Sequence, residues 1–386
     1  MELTRPAWLQ IDLDRLHYNF REIRKVVPEG SEIMAVLKAD AYGHGAIKIA
    51  RELLSLGVTR FGVATLSEAL ELRKRLPHAQ ILVMGYTPEY LYETAIEHGI
   101  RTAVYLQEQA EQLSKIAARL NRDAIIHLKI ETGMNRLGFL PNEDSMMSIL
   151  KIREMDNIIV EGIFTHFPAA DDDLEYTGNS MRKFESFTRQ LEDKGFNIPI
   201  KHVNNSAAIM NLPEYSLDMV RAGIILYGVY PFPEANKDFL PLESCLSLRA
   251  QISHVKDLEA GERIGYGLTY TAQSRIKVAT LPVGYADGWS RELSNKGSVL
   301  IGGKRAPIIG RVCMDQLMVD VTGIDAERGE EAVLMGRQGN EEITIEEIAG
   351  LIGQIPAAVM CMLSRRLPRV YTKENRPPEV VDYLID

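Results

Sequence analysis

Between residues 33 and 225, short apolar runs alternate with longer stretches whose apolar positions recur every three or four residues. The runs at 33–37, 61–64, 81–84, 102–105, 125–130, 159–165, 200–203 and 219–222 have the length and composition of buried strands. Helical stretches fit between them, among them 68–75, 108–120 and 181–194. Strands alternating with helices predict a parallel sheet, and eight such units in this length predict an α/β fold, a closed (β/α)8 TIM barrel. A doubly wound open sheet is the alternative. Its dinucleotide-binding version would carry GxGxxG after the first strand, and none is present there.

After Tyr230-Pro231-Phe232-Pro233 the texture changes. Runs at 247–255, 276–281, 299–301, 318–321 and 332–334 are separated by glycine-containing turns, which predicts a smaller, mainly antiparallel β domain. One helix is expected near 344–351, with Thr344 as N-cap and Glu347 three residues on. The division is thus a barrel over residues 1–235 and a β domain over 236–386. The segment 7–12 is expected to pair with the β domain, leaving 13–26 as the helix that leads into the barrel. The tail beyond Pro377-Pro378 reads as plain surface.

Composition narrows the function classes. The 44 basic and 53 acidic residues leave a net charge of −9, with no long basic run, so neither nucleic acid nor an anionic membrane is an expected partner. The cysteines, Cys245, Cys313 and Cys361, are odd in number and widely spaced, which predicts no disulfide framework and no metal site. No apolar run approaches membrane-spanning length and the first residues do not read as a signal peptide, so a cytoplasmic protein is expected.

Barrels of this kind place their chemistry just past the C-terminal ends of the strands. Several reactive residues fall there: Lys38 and Tyr42 after the first strand, Arg136 in Glu131-Thr132-Gly133-Met134-Asn135-Arg136-Leu137-Gly138 after the fifth, and His166 after the sixth. Ser206 follows the seventh, and Arg221-Ala222-Gly223-Ile224 closes the eighth. Each has a plain structural account alone: a strand-edge lysine, turn glycines, a hydrogen-bonded histidine, Ser206 as a helix N-cap. Their convergence on one barrel face favours chemistry. A lysine there can be desolvated and act as an amine nucleophile. Small residues at the last strand ends, feeding helix N-termini, suit a phosphate. Lysine plus phosphate cradle is what pyridoxal phosphate requires. Arg221 beside the pyridine nitrogen would disfavour protonating it, steering a carbanion toward reprotonation.

Residues 35–45, 131–138, 164–167, 204–207, 221–228, 265–272, 284–291 and 310–316 together resemble the successive motifs of alanine racemase, a fold-type III pyridoxal-phosphate enzyme family. The resemblance spans about residues 5 to 371. It implies a homodimer with active sites at the subunit interface, each completed by the partner chain, and pyridoxal 5'-phosphate as cofactor. It implies Lys38 as the lysine that carries the cofactor and as one base, and Tyr266 from the other subunit as the opposite base. A phenol ordinarily ionises near pH 10, so a tyrosine base needs favouring neighbours, with His166 and Arg291 as candidates. Tyr42, Ser206, Gly223 and Ile224 resemble the phosphate ligands, Arg221 the pyridine-nitrogen arginine and His166 its neighbour. Arg136 resembles the residue that holds the cofactor's ring oxygen and the substrate carboxylate, with the Met314 N–H on that carboxylate. Lys129 matches a lysine that many members carbamylate. Asp171, Tyr285, Arg291 and Arg311 match the substrate's approach channel. The implied role is supply of D-alanine for cell-wall peptidoglycan.

The chain departs from the pattern in two places. The family often carries a tyrosine before Arg-Val-Pro-Arg that touches the phosphate and narrows the pocket; here Ser364-Arg365-Arg366-Leu367-Pro368-Arg369 puts Arg365 there. The loop Phe167-Pro168-Ala169-Ala170-Asp171-Asp172-Asp173 also differs. Rival readings are a racemase of other or broader range, such as serine or lysine, and a fold-type III decarboxylase. More distant ones are a pyridoxal-phosphate carrier, which is a lone barrel, and a scaffold.

Overall fold

The computed structural model describes residues 3–385. The chain opens with strand β1 (Ala7–Asp12) and helix α1 (Leu13–Val26). Eight strands follow: β2 (Glu32–Val36), β3 (Arg60–Val63), β4 (Gln80–Val83), β5 (Arg101–Val104), β6 (Ala124–Lys129), β7 (Ile158–Phe164), β8 (Ile200–His202) and β9 (Met219–Ala222). They are hydrogen-bonded in the order β8-β7-β6-β5-β4-β3-β2-β9, every pair parallel. The Arg221 N–H donates to the Asn204 carbonyl at 3.0 Å, which ties the ends of β8 and β9 and leaves the barrel nearly closed. The strands form where the apolar runs predict them. Between strands and helices lies a core that includes Leu113, Ile126, Leu128, Ile149, Phe184, Phe187 and Leu191, all essentially buried.

The helix expected from Met181 begins instead at Leu174. Asp173 caps it, accepting from the Tyr176 N–H at 2.8 Å. Its first buried positions are Thr177, Gly178 and Ser180, small residues that carry no hydrophobic periodicity, so the pattern hides its first two turns.

Residues Met1–Leu16, Tyr42–Gly45 and Glu243–Asp386 form one compact unit, and His17–Ala41 with Ala46–Leu242 form the other. The first contains a sheet in the order Lys304–Pro307, Ser298–Ile301, Glu331–Gln338, Leu246–Gln251, β1, Arg369–Thr372, Glu379–Val381. As expected, β1 joins this domain, antiparallel to Leu246–Gln251 and parallel to Arg369–Thr372. The run at 247–255 is not one strand. It breaks at Ile252-Ser253 and continues as His254–Leu258 in a second sheet with Ile276–Leu281 and Leu317–Asp320. Thr344 caps Ile345–Leu351 as expected, accepting from the Glu347 N–H at 3.1 Å. The tail corrects its reading as plain surface: Glu379–Val381 pairs with Arg369–Thr372, and Asp382 is buried. Among the described residues no single helix is long and apolar enough to cross a membrane.

One ion pair pins a loop of this unit. Asp287 is fully buried and takes a bidentate hydrogen bond from Arg5, at 2.6 and 3.1 Å, and another from the Gly284 N–H. Removing the carboxylate leaves Arg5 unpaired beside buried groups. Asp287→Ala is expected to destabilise by roughly 3–5 kcal/mol, read as a fall in the denaturant midpoint at unchanged slope.

Candidate active site

Lys38 follows β2 in a short turn of unusual hand. Ala39, Asp40 and Ala41 have φ of 53 to 54° and ψ of 46 to 50°, and Tyr42 has φ 53°, a left-handed turn without glycine. Such a conformation costs an L-residue roughly 1–2 kcal/mol, so the surroundings must hold it. The Glu68 carboxylate does so, accepting from the Ala39 N–H at 2.7 Å. Asp40 accepts from the Ala46 N–H at 2.8 Å, and Ala41 donates back to the Leu37 carbonyl at 2.9 Å. Lys38 itself is exposed on its own chain. Tyr42 is held un-ionised, chiefly by burial, and so stays a hydrogen-bond donor.

Arg221 is the anchor of the barrel mouth. Buried on β9, it donates to the carbonyls of Thr165, Val203 and His202 at 2.8 to 3.0 Å and to His202 Nδ1 at 2.9 Å. Its Nη2 lies 3.4 Å from His166 Nδ1, so the expected neighbours meet. Burial lowers its pKa to about 9, which still leaves it charged at neutral pH. Burial and then the charges of Arg221, Arg136, Lys129 and Lys38 hold the His166 pKa well below its ordinary value, so the imidazole is neutral. These cations therefore converge on one mouth.

Lys129, the last residue of β6, is buried with its Nζ donating to the Ile130 carbonyl at 2.8 Å. Burial lowers its pKa from 10.5 to about 7, Glu131 opposing and Arg221 and Arg136 adding to the fall. The loop carrying Arg136 wraps around Glu131, which accepts from the N–H groups of Gly133 at 2.5 Å and Arg136 at 3.2 Å. The loop closes at Gly138, φ 142°, where a Cβ would stand 2.5 Å from the Glu131 nitrogen, so only glycine fits.

Ser206 is not the helix cap that its plain reading made it. Asn205 caps Ser206–Asn211, accepting from the Ala208 N–H at 3.0 Å. The Ser206 Oγ instead accepts from the Gly223 N–H at 3.0 Å, just before the short helical turn Ile224–Tyr227. Asp171 is exposed in the loop before the Asp173 cap.

Tyr266, Tyr285, Arg291, Arg311, Met314 and Arg365 all belong to the β unit. Tyr266 is 70% exposed on a turn bracketed by Gly265 and Gly267, both at φ 71°, and the Arg311 guanidinium packs where a Cβ on Gly267 would be. The motifs around Tyr285 and Met314 are joined: Tyr285 N–H donates to Cys313 O and Ala286 N–H to Met314 O, each at 3.0 Å. Arg365 lies over the ring of Tyr383 at 4.8 Å. The polar residues His127, Glu161 and His202 inside the barrel were missed from the sequence. Their signal was polar residues interrupting otherwise apolar strands.

The donor set suits the expected cofactor. Arg136 fits a phenolate oxygen, the Ser206 hydroxyl fits a phosphate, and a charged Arg221 at the centre fits an unprotonated ring nitrogen.

The family profile for the alanine racemase N-terminal domain matches residues 11–231, and that for the C-terminal domain matches 245–371. Over 383 residues the chain is 46% identical to an alanine racemase of Clostridium tetani, covering 98% of this chain and 99% of that one. A solved structure of an alanine racemase from Clostridium difficile 630 matches with TM-score 0.96 at 42% identity, covering 100% of each chain. A histidine racemase of Leuconostoc mesenteroides subsp. sake matches with TM-score 0.89 at 30% identity, over 96% of this chain and 99% of that one. By both domains and by the full-length relatives, the chain belongs to the alanine racemase family.

Proposed function

We propose that this racemase interconverts L- and D-alanine with two bases on opposite faces of the substrate, Lys38 of one chain and Tyr266 of its partner in a homodimer. The observation that carries this reading is Arg221: a charged guanidinium fixed by four hydrogen bonds beside a neutral His166. An acid in that place would favour decarboxylation; a cation disfavours a proton on the ring nitrogen and leaves simple inversion. Pyridoxal phosphate, when bound, supplies the electron sink that acidifies the substrate's Cα–H.

This chain's residues do the rest. Ser206 Oγ accepts from Gly223, so its own proton is free for a phosphate oxygen. Tyr42 donates there as well, and the backbone at Gly223 and Ile224 completes the cradle. Arg136 and the Met314 N–H take the substrate carboxylate. Inversion needs proton loss on one face and gain on the other, which two fixed bases achieve without movement. The exposure of Tyr266 on its own chain supports a role in the partner's site. Tyr285, Arg291, Arg311, Arg365 and Asp171 line the approach. The product D-alanine serves cell-wall peptidoglycan, made in the cytoplasm.

Chiral chromatography of alanine, serine, lysine and histidine, each incubated with the protein, tests the reading. Convergence of either alanine enantiomer to a one-to-one mixture, with the others slow, is the expected result; carbon dioxide release without inversion would overturn it. A broader range has one observation in its favour: Arg365 replaces a tyrosine and rests on Tyr383, which reshapes the gate.

Lys129, held near neutrality, is a nucleophile for carbon dioxide, and its carbamate would orient Arg136. Because its folded pKa of about 7 lies below 10.5, the buried lysine costs stability below pH 7, and that cost fades as pH rises toward 10.5. In carbonate-free buffer Lys129→Met is expected to be more stable than the wild type at pH 6 by about 1–4 kcal/mol. The difference should close on the alkaline side, and added bicarbonate should narrow it near neutrality. Denaturant melts across pH measure both.

A further inference from the structure

A continuous line of hydrogen bonds runs through the barrel from its mouth to its floor. Arg221 Nη1 lies 2.9 Å from His202 Nδ1, His202 Nε2 lies 2.9 Å from His127 Nδ1, and His127 Nε2 lies 2.9 Å from Glu161 Oε2. Glu161 is gripped at the floor by Arg101, at 2.8 and 3.0 Å, and by Arg60 at 3.1 Å; both arginines open their strands. Both imidazoles are fully buried.

The proton order along this line has one solution. A guanidinium only donates, so His202 Nδ1 is bare and its proton sits on Nε2. That proton points at His127 Nδ1, which must then be bare as well. The His127 proton sits on Nε2 and goes to the carboxylate. Starting from the other end gives the same answer, because an ionised Glu161 only accepts. Burial alone would raise the Glu161 pKa, but the hydrogen bonds from His127 and Arg101 drive it far below the ordinary carboxylate range. Burial dominates in lowering both histidines, against Glu161 for His127 and with Arg221, Arg60 and Lys129 adding for His202.

The fold is shaped around this line in three places. The β6–β7 register slips between the pairs Ile126–Val160 and His127–Gly162, so Glu161 is an extra residue, and such a bulge re-aims its side chain. A Cβ on Gly162 would stand 2.4 Å from His127 Nδ1, so glycine makes room for the ring at the bonded nitrogen. The His202 ring stacks on Phe164 with centroids 4.8 Å apart.

We propose that Glu161 and His127 are positioning residues for Arg221. The carboxylate anchors the same proton order from the floor that the guanidinium requires at the mouth, so His202 presents a bare nitrogen that fixes the guanidinium. Reversing His202 would set two donors face to face at Arg221, and reversing His127 would set two donors face to face at His202. The importance of that aim rests on the function proposed for Arg221; the proton order does not.

Nitrogen NMR of the cofactor-loaded protein with labelled histidine tests the proposal. The wild type is expected to show His127 and His202 each with a protonated Nε2 and a bare Nδ1, unchanged from pH 6 to 9. A doubly protonated ring, or the reverse tautomer, would overturn the proposal whether or not the protein racemises alanine. Glu161→Gln keeps the shape and removes the charge, and its amide can turn either face to His127. The guanidinium still sets the order from the mouth, so the tautomers are expected to hold while the anchor at the floor weakens, with kcat for alanine lower by on the order of tenfold, the scale of losing an orienting partner, and KM little changed. An unaltered kcat in that variant would overturn it too. If Glu161→Gln fails to fold, the wild-type spectrum alone still decides. Absent racemisation with the expected tautomers would defeat the proposed function and leave the proton order standing.

Discussion

Lys38→Ala is expected to lose racemisation in both directions by at least about four orders of magnitude. A single positioned base contributes roughly 10²–10⁴, and this lysine also carries the covalent tether of the cofactor. The left-handed turn makes the loss specific. Lys38 is exposed, and the turn is held by the Ala39 and Ala41 N–H groups and by the Asp40 carboxylate. Truncating it should leave the fold and the melting temperature nearly unchanged. Chiral chromatography of both alanine enantiomers, alongside a thermal melt, checks both parts. A variant that stays within tenfold of the wild type would remove Lys38 from the mechanism.

Tyr266→Ala is expected to be comparably inactive, for a different reason. Removing one of two bases blocks proton transfer on one face and so stops inversion in both directions, again by roughly 10²–10⁴. The two lesions should complement. Mixing inactive Lys38→Ala with inactive Tyr266→Ala produces hybrid dimers in which one site has both bases and the other has neither. Up to a quarter of the wild-type activity is then expected if subunits exchange at random, because about half the dimers are hybrids and each holds one intact site of two. Labelled subunits confirm exchange. No recovery despite exchange would show that Lys38 and Tyr266 of one site come from the same chain.

The barrel strands were legible because each is an apolar, β-branched run bounded by polar turns, and nothing in the sequence competes with that pattern. The β-domain run at 247–255 was misread because apolar residues continue through Ile252, where the backbone leaves one sheet for another. Periodicity reports burial: Leu246–Gln251 alternates buried with more open positions, whereas His254–Leu258 is buried only at Leu258, so no second apolar pattern marks the new strand. The helix from Leu174 was shortened because its first buried positions are small and polar. At the site, Arg221 and His166 were legible as polar residues ending apolar strands. The internal relay of Glu161, His127 and His202 was not, since a lone histidine in a strand looks like any hydrogen-bonded core residue until its neighbours are known. Nor does Ala39-Asp40-Ala41-Tyr42 announce a left-handed turn, because it contains none of the glycines that usually permit one.

That turn ties two distant clocks together. Its four left-handed residues store roughly 4–8 kcal/mol, and Glu68 restrains them from the start of another helix, where the same carboxylate also takes the N–H groups of Ala64 and Thr65. Fraying of that helix start releases the spring under the lysine while the barrel strands are still intact. On warming, the protein should therefore lose its grip on the lysine loop before it melts. Its working lifetime would then depend on one glutamate's hold on three amides as well as on the depth of its hydrophobic core.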